Sequence, residues 1–559
     1  MKKANKILSL LLSIIIILGF STSCFYIIMM PSENAVKGLP AFALSEEDVK
    51  KANDLLVTAE TTVLSGGSTI DINTAWAEFL DYYYFVATQA NVGYIWNSTD
   101  TQNETYQQNY LFAQNSATDL YASYTETLKK IYNSDKRDTF FVGWSQDEID
   151  AILKHDEEVA NLEKANNQLT VEYSALSDAE FFVKSVDIYK QIALNNNKIA
   201  KKFGYNNYYE YAHRQVYGRD YSFKELADFR SYVSTQIAPL ATQTIASFKV
   251  KKANLNQKES ELLSEILTMP YDKTSVNYWD KYVESYGDAS SKAKFNHAFA
   301  NSNVSFINGA NARDGAFTAY LPTYNKSFCY FGPSYQDLFT VGHEIGHYYA
   351  GMYSGLENLS MDLKETHSQS NEMLILEFLE GELSQTTFDV LEEYTLGNAL
   401  VMVAVSAMVD EFEYKVYTNA NLANFTATDF DSVMAEVCVS YGGIDYVNSN
   451  FANINNYWRR VVVEQPVYYL SYATSSIASI GLYVWATDDR AEARKAYAKL
   501  VELPSSDGFT ASLEQAGYLN PFEQSTITKI SNYLNGGKPP VVEVESSSEN
   551  GSESESMVA

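Results

Sequence analysis

Positive charge is scarce in this chain of 559 residues. Lys and Arg number 41 against 70 Asp and Glu, which gives a formal net charge of −29 at pH 7. A protein that binds nucleic acid neutralises phosphates with Lys and Arg, so this balance argues against DNA or RNA as a partner. The acidic excess keeps the chain soluble and favours cationic solutes, but it does not identify a ligand.

Cysteine is also rare, with three residues in the whole chain. Cys24 lies near the N-terminus, so the body of the protein has only Cys329 and Cys438 and at most one disulfide. These two could pair in an oxidising compartment, but two cysteines also stay free in many cores. We expect free thiols.

Strand-like sequence is limited, and no internal repeat is evident. Hydrophobic residues make up 46% of the chain and aromatic residues 14%, enough for large cores, which excludes a disordered protein. A chain of this length exceeds what one core usually supports. We therefore expect an N-terminal helical lobe over residues 45–200 and a second domain over 201–535.

Helix signals dominate the region between residues 45 and 250. One predicted helix ends at Gly204, a residue type that suits a helix C-terminus. Three helix starts combine a capping serine with an acidic residue three positions on, the pattern of a capping box: Ser45 and Asp48, Ser145 and Glu148, Ser222 and Glu225.

The best strand signal is "GAFTAYLPTYNKSFCYFG", residues 315–332. Aromatic and β-branched residues lie on both sides of a turn signal at residues 322–326. We predict a mainly α protein with one small β-sheet, which leads directly into the next helix.

The two ends of the chain differ from its body. Residues 1–30 begin with lysines, continue with an apolar run and reach small residues before Cys24, the pattern of a secretory signal. The signal end resembles a bacterial lipobox, although Ser21 stands where leucine is usual, so Cys24 is a candidate for lipidation. An uncleaved membrane-spanning helix remains the alternative. Residues 536–559, rich in Gly, Pro, Ser and Glu, predict a disordered acidic tail.

The helix that follows the predicted sheet contains "VGHEIGH", residues 341–347. On a helix, His343 and His347 lie one turn apart on the same face, where both imidazoles can reach one Zn²⁺. Glu344 lies about 100° round the helix, in place to act as general base on the metal's water. The alternative is two polar residues on a solvated face, but the apolar sequence around them and a total of six histidines argue against it.

Catalytic zinc normally takes three protein ligands and a water. In "MDLKETHSQSNEMLILEFLEGEL", Glu365, Ser368 and Glu372 form one polar stripe on an otherwise apolar helix. We predict Glu365 as the third ligand and Glu372 as the acceptor of a histidine N–H. A solvent-facing pair of glutamates is the alternative.

These stretches resemble the thimet-oligopeptidase and oligoendopeptidase F group of zinc peptidases. The resemblance rests on "GAFTAYLP", "DLFTVGHEIGH", "ETHSQSNE" and "EQPVYYLSYA", and more weakly on "KIAKKFGYNNYYEYA", so it covers most of the chain after residue 180. It implies zinc ligands at His343, His347 and Glu365 and a base at Glu344. It also implies a two-lobed helical fold with the zinc on the floor of a deep channel that admits only short peptides.

Two departures from that group matter. The interval from His347 to Glu365 is some six residues shorter than expected, which trims the loop between the two zinc helices. Val461 stands where relatives carry a histidine that helps to stabilise the oxyanion. Stabilisation of the oxyanion would then fall to the zinc and to tyrosine hydroxyls. The resemblance implies that Tyr469 and Tyr472 occupy the positions of the group's hydroxyl donors.

Three further residues are weaker candidates for lining the substrate cleft. Tyr468 neighbours the two donor tyrosines, Tyr320 lies on the strand that could pair with an extended peptide, and His367 follows Glu365 closely. Any single tyrosine among 43 can equally be wall or core, and His367 can be structural.

The resulting hypothesis is an exported zinc oligoendopeptidase with one Zn²⁺ per chain. It is expected to be a monomer, tethered to the cell membrane through its N-terminus or secreted, and to act on short peptides. The alternative is a weakened or inactive peptide-binding lipoprotein on the same scaffold, which Val461 favours.

Overall fold

The computed structural model describes residues 37–174, 176, 178–268, 271, 273–354, 360–442, 454–463, 465–503 and 508–536. The predicted signal at 1–30, with Cys24, lies outside the described residues, as does all of the predicted tail after residue 536.

Helices make up the first part of the chain. In order they are α1 (Glu46–Leu64), α2 (Thr69–Thr99), α3 (Glu104–Tyr132), α4 (Arg137–Phe140), α5 (Gln146–Lys154), α6 (Glu157–Ser174), α7 (Asp178–Lys202), α8 (Tyr208–Tyr211), α9 (Phe223–Tyr232), α10 (Ala238–Lys252), α11 (Gln257–Thr268), α12 (Lys273–Glu284) and α13 (Ala289–Ala300). The three predicted capping boxes form, at Ser45, Ser145 and Ser222. Gly204 follows α7 with φ of +90°, as its predicted place at a helix end requires.

Three strands form the small sheet. β1 (Val304–Phe306) pairs parallel with β3 (Lys326–Phe331), and β2 (Ala316–Leu321) pairs antiparallel with β3, in the order β1–β3–β2. A short 3₁₀ turn at Pro322–Tyr324 joins β2 to β3, and Asn325 takes a left-handed φ of +45°. The predicted hairpin and turn are therefore confirmed.

Helices also make up the rest of the chain. They are α14 (Leu338–Ser354), α15 (Met361–Leu379), α16 (Gln385–Tyr417), α17 (Ala427–Ser440), α18 (Ile454–Val461), α19 (Leu470–Asp488), α20 (Arg490–Glu502), α21 (Phe509–Ala516) and α22 (Gln524–Leu534). α14 packs on β2 and β3, so the sheet lies beside the helix with the two histidines, as predicted. About three quarters of the protein is helical, which confirms the mainly α class.

Two large groups of buried side chains form the interior. The N-terminal cluster lies between Leu44 and Ile152 on α1, α2, α3 and α5. The central cluster runs from Tyr173 to Ile530 and includes α14, α15, α16 and α19. α7 contributes Tyr189 and Ile192 to the central cluster.

Among the described residues, one helix is long and apolar enough to cross a membrane. This is α16, and 72% of its most apolar 18-residue window is buried inside the protein. The two body cysteines, Cys329 and Cys438, are both buried free thiols, as expected.

Candidate active site

Two glycines let α14 and α15 approach closely. A Cβ on Gly346 would lie 2.7 Å from the Cα of Ser368, and one on Gly342 would lie 2.3 Å from the Cδ1 of Ile375. The carbonyl of Gly342 also accepts a hydrogen bond from Asn371 Nδ2 at 2.7 Å. Because His343 and His347 each follow one of these glycines, the close helix contact brings both imidazoles next to α15.

The close approach brings three metal-binding side chains together. The ligand atoms of His343, His347 and Glu365 all lie within 4.8 Å of one another. Glu365 Oε2 lies 3.5 Å from His343 Nε2 and 3.8 Å from His347 Nε2. Two atoms bound to one tetrahedral Zn²⁺ are roughly 3.4 Å apart. The observed spacing therefore suits a single ion held between the three side chains.

The carboxylate of Glu365 shows the same fit. Its residue is 4% exposed, and Oε2 is buried without a hydrogen-bond partner. A buried carboxylate oxygen without a partner is costly, and the two imidazoles are too far away for good hydrogen bonds. A cation at the centre of the three residues would satisfy this atom.

Glu372 orients the first imidazole. Its Oε1 lies 2.7 Å from Nδ1 of His343. Glu372 is about two helical turns from Glu365 on the same face of α15. An Nδ1–H donated to this carboxylate leaves Nε2 of His343 for the metal. Ser368, the middle residue of the predicted stripe, instead donates its hydroxyl to the carbonyl of Glu365 at 3.0 Å.

The pKa values of the cluster follow from burial and close contacts. Burial lowers the pKa of His347 to about 3, which favours the neutral imidazole that binds metals. Burial alone would raise the pKa of Glu365, but its contacts with His343 and His347 hold it at about 2. Burial likewise opposes protonation of His343, yet Glu365 and Glu372 raise its pKa well above the usual value. A bound cation would displace that proton.

Glu344 is held by the edge strand of the sheet. It is 4% exposed, and Thr318 on β2 donates its hydroxyl to Glu344 Oε2 at 2.7 Å. Burial raises the pKa of Glu344 to about 7, although the neighbouring His343 charge and the Thr318 bond act against it. A carboxylate with a pKa in this range can accept a proton and return it near neutral pH.

Tyrosine hydroxyls lie on the other side of Glu365. The hydroxyl of Tyr468 donates to Glu365 Oε1, and the hydroxyls of Tyr468 and Tyr472 are hydrogen-bonded at 3.2 Å. The ring of Tyr469 lies 5.6 Å from that of Tyr472. Sequence reasoning ranks Tyr469 and Tyr472 ahead of Tyr468, and in the structure the Tyr468 hydroxyl contacts the predicted ligand Glu365 directly.

Of two weaker candidates, Tyr320 has hydrogen-bond partners and His367 is buried. The hydroxyl of Tyr320 donates to Asn325 Oδ1 at 2.6 Å, and its carbonyl accepts from Asn91 of α2 at 2.7 Å. His367 is 1% exposed and lies beside the backbone of Leu500 on α20, and burial lowers its pKa to about 4. A role for either residue in binding substrate stays a prediction.

Val461 lies at the C-terminal end of α18 and packs on the central cluster. The chain has four histidines besides the two on α14, and the structure describes all of them. His155 pairs with Glu163, His213 contacts the Tyr221 carbonyl and His297 contacts the Tyr348 hydroxyl, while His367 is buried beside α20. Among the described residues, no hydrogen bond or ion pair joins any of these four to His343, His347 or Glu365, although the charge of His367 acts on His347. The hydroxyl of Tyr468 does contact Glu365.

Thr318 is the residue that sequence reasoning missed. Its only signal is a hydroxyl within the strand that precedes the two-histidine helix, and strand threonines are common. Residues 355–359, within the shortened interval between His347 and Glu365, lie outside the described residues.

No protein-family profile matches the chain, and no curated protein matches it in sequence. Solved structures do match. PZ peptidase A with an inhibitor is similar with a TM-score of 0.72 and 19% identity, over 89% of this chain and 98% of that one. A Bacillus anthracis protein provisionally assigned as an oligoendopeptidase F has a TM-score of 0.69 at 17% identity, over 90% and 97%. Oligoendopeptidase F from Enterococcus faecium has a TM-score of 0.55 at 14% identity, over 88% and 97%.

These structures span nearly the whole described chain, so the likeness concerns the complete architecture and not one motif. The structural neighbours are the ones that the sequence resemblance predicts. The chain has the helical fold of the oligoendopeptidase F and PZ peptidase structures.

Proposed function

We propose that the protein is a zinc-dependent oligoendopeptidase of this group, which hydrolyses internal bonds of short peptides. The observation that carries the proposal is the convergence of His343, His347 and Glu365 on one point. Glu344 stands next to it with a carboxylate held by the sheet. The similarity of the fold to solved peptidase structures supports the same proposal.

Zinc, held by His343, His347 and Glu365, would supply Lewis acidity that activates water and polarises the scissile carbonyl. Glu344 removes the proton of the attacking water and passes it to the leaving amine. Thr318 fixes the rotamer of Glu344 through its hydroxyl, so the base is oriented before substrate arrives.

Hydroxyls replace the missing histidine as donors to the developing negative charge. The Tyr472 hydroxyl lies 3.2 Å from the Tyr468 hydroxyl, whose single proton goes to Glu365. Rotation about the C–O bond of Tyr472 lets its own proton point towards substrate. Tyr469 is the second donor of the proposal, on the basis of the resemblance. The loss of one such donor costs roughly 10²–10³-fold in rate in a well-studied protease, so Val461 predicts a slow enzyme.

The outer edge of β2 is the proposed binding surface for the peptide backbone. The Tyr320 carbonyl points to that edge, because it accepts from Asn91 and not from β3. By the alternation of a strand, the backbone groups of Ala316 and Thr318 face the same edge. A substrate paired there would lie beside Glu344, and its affinity would depend little on side chains.

The test compares wild type with Glu344→Gln for zinc content and for hydrolysis of a quenched-peptide library. We expect full zinc occupancy in both and a rate loss of roughly 10²–10⁴-fold in the variant. Equal hydrolysis by the two proteins would sink the assignment. A digest of mixed peptides, analysed by mass spectrometry, would also show the length limit.

A second candidate is a peptide-binding protein without turnover, which Val461 at the place of the donor histidine favours. Full zinc occupancy with peptide binding and no cleavage by the wild type would select it.

We also propose that the protein acts outside the cytoplasm, because residues 1–30 have the composition of a secretory signal. Fractionation of cells that express the full chain tests this. Recovery of the protein in the cytoplasmic fraction would contradict this proposal. The Cys24→Ser variant distinguishes the two anchors, because the substitution removes a lipid anchor but leaves an uncleaved helix in place.

A further inference from the structure

Val467 has an unusual backbone conformation immediately before the tyrosines of the site. Its φ is +66°, in the left-handed region that a β-branched residue rarely adopts. Such a conformation is unfavourable and persists only where surrounding contacts enforce it. Val467 is fully buried, so the protein maintains it in the interior.

The backbone on both sides of Val467 is held by buried polar side chains. Glu413 on α16, which is 0% exposed, accepts the Val467 N–H with both oxygens at 2.9 Å. Arg219, which is 1% exposed, donates to the Val467 carbonyl at 2.9 Å. The Tyr217 hydroxyl donates to the Pro466 carbonyl at 2.7 Å.

The same arginine is tied to the two helices of the site. Its Nε lies 3.3 Å from Asp362 Oδ1 at the start of α15, and its Nη2 lies 3.0 Å from the Ser471 hydroxyl at the start of α19. Ser471 in turn donates to Asp362 at 2.5 Å, and Tyr221 donates to the other oxygen of Asp362 at 2.7 Å. Burying the charges of Arg219 and Asp362 costs free energy unless both are paired. The number of polar contacts at this one backbone segment therefore indicates that its conformation matters.

The segment is followed directly by Tyr468, whose hydroxyl donates to Glu365. We propose that Arg219 and Glu413 are positioning residues that enforce the strained backbone of Val467. They thereby aim the Tyr468 hydroxyl at Glu365 and fix the orientation of that carboxylate. The inference rests on the proposed function for the role of Glu365, and it adds residues on two distant elements that touch neither metal nor substrate.

The mechanism is geometric. Without these contacts, Val467 would return towards negative φ. The chain that leads into α19 would rotate, and Tyr468, which lies just before that helix, would move with it. Glu365 would then lose the donor to Oε1 and could turn away from the two imidazoles. Partners of a metal ligand of this kind typically contribute 10–100-fold to metal affinity or activity.

The first experiment replaces Glu413 with leucine, with Glu413→Gln as the matched control. Leucine removes the acceptor of the Val467 N–H, whereas glutamine keeps one oxygen in nearly the same volume. Zinc affinity is measured by competition with a chelator, and kcat and KM with a quenched peptide. We expect Glu413→Leu to lower zinc affinity and kcat by roughly tenfold with little change in KM, and Glu413→Gln to lose clearly less.

The decisive experiment combines Glu413→Leu with Tyr468→Phe. If Glu413 acts through the Tyr468 hydroxyl, the double variant should bind zinc less than about twofold more weakly than Tyr468→Phe alone. A purely structural role predicts that the two losses multiply, and this result would overturn the inference. The non-additivity of a double-mutant cycle reports this coupling directly.

Ser471→Ala provides a milder second variant if Glu413→Leu does not fold. It removes one hydroxyl that joins Arg219 to Asp362, and the same cycle with Tyr468→Phe is measured. Because zinc affinity is a readout on its own, a protein that binds zinc without cleaving peptides overturns the proposed function and still decides the cycle.

Discussion

The N-terminal cluster and α15 bury very different side chains. In the N-terminal cluster, Phe79 stacks on Tyr124 at 5.8 Å and meets Trp76 edge-on at 5.7 Å. Every residue of α15 except Met361 and Glu372 is buried, including several with charged or polar side chains: Asp362, Lys364, Glu365, His367 and Glu377. Apolar burial stabilises a fold directly, whereas buried polar groups cost free energy unless they are paired.

This difference separates stability from chemistry. Substitutions in the N-terminal cluster should change the free energy of unfolding with little effect on hydrolysis. Substitutions of the polar residues on α15 and its neighbours should change metal binding and rate. Four variants, ordered by their expected effect on the rate of hydrolysis, test this division.

Glu365→Gln should have the largest effect. It removes a charged ligand, and we expect zinc to be lost on dialysis and hydrolysis to fall at least a thousandfold, since the bound metal supplies most of the activation. Metal content and initial rates are the measurements. Adding a chelator should lower the melting temperature of the wild type but not that of Glu365→Gln, because only the wild type holds a stabilising ion.

Glu377→Gln is its matched control on the same helix. Glu377 is 2% exposed and accepts from Arg490 Nε, but it does not contact the three predicted ligands. We expect this variant to lose stability and keep its zinc. If both variants lost zinc equally, α15 would respond to any lost charge, and the metal site would not be localised at Glu365.

Gly346→Ala should have the next largest effect. A Cβ there would lie 2.7 Å from Ser368 Cα and 2.9 Å from the His367 carbonyl, both backbone atoms that cannot turn aside. α14 must shift, and His347 shifts with it. A displacement of about 1 Å can cost roughly a hundredfold in rate. Measured zinc affinity should fall in parallel.

Gly351→Ala is the contrasting variant, because Gly351 lies near the end of α14 and is partly exposed. If Gly346→Ala and Gly351→Ala had equal effects, the close contact of α14 with α15 would not be what positions the site.

The three side chains of the candidate metal site were predictable in part, because the spacing within each helix is local. His343 and His347 are one helical turn apart, and the spacing of Glu365 and Glu372 places both on one face of α15, so helix periodicity predicts each pair. The meeting of the two pairs depends on the contact of α14 with α15. The capping boxes at Ser45 and Ser222 depend on four consecutive residues in the same way.

Other parts of the site depend on contacts between distant segments. Thr318 reaches Glu344 only because β2 packs against α14, and Arg219 reaches Val467 across 248 positions of sequence. Neither residue belongs to a pattern of hydrophobic periodicity. The left-handed φ of Val467 contradicts its residue type, so local propensity predicts the opposite. These features require the folded chain.

Thr318→Val should have a smaller effect on rate. Valine has nearly the same shape as threonine but cannot donate to Glu344 Oε2, so the base loses its orientation while the sheet stays packed. We expect kcat to fall roughly tenfold, in line with about 1.5 kcal/mol for a hydrogen bond to a charged group, and KM to stay close to wild type. Thr318→Ser keeps the hydroxyl and should recover most of the rate. Equal rates for valine and serine variants would show that the hydroxyl does not position Glu344.

Phe79→Ala should have the smallest effect on rate and a large effect on stability. Phe79 is 0% exposed, and removal of such a ring typically costs about 3–5 kcal/mol. At 25 °C the folded fraction should retain its zinc and its kcat, because the N-terminal cluster contains none of the residues that contact the metal site. Thermal unfolding and active-site titration separate the two quantities. A fall in kcat per folded molecule would show that the rings of the N-terminal cluster shape the catalytic residues, and the division between stability and chemistry would then not hold.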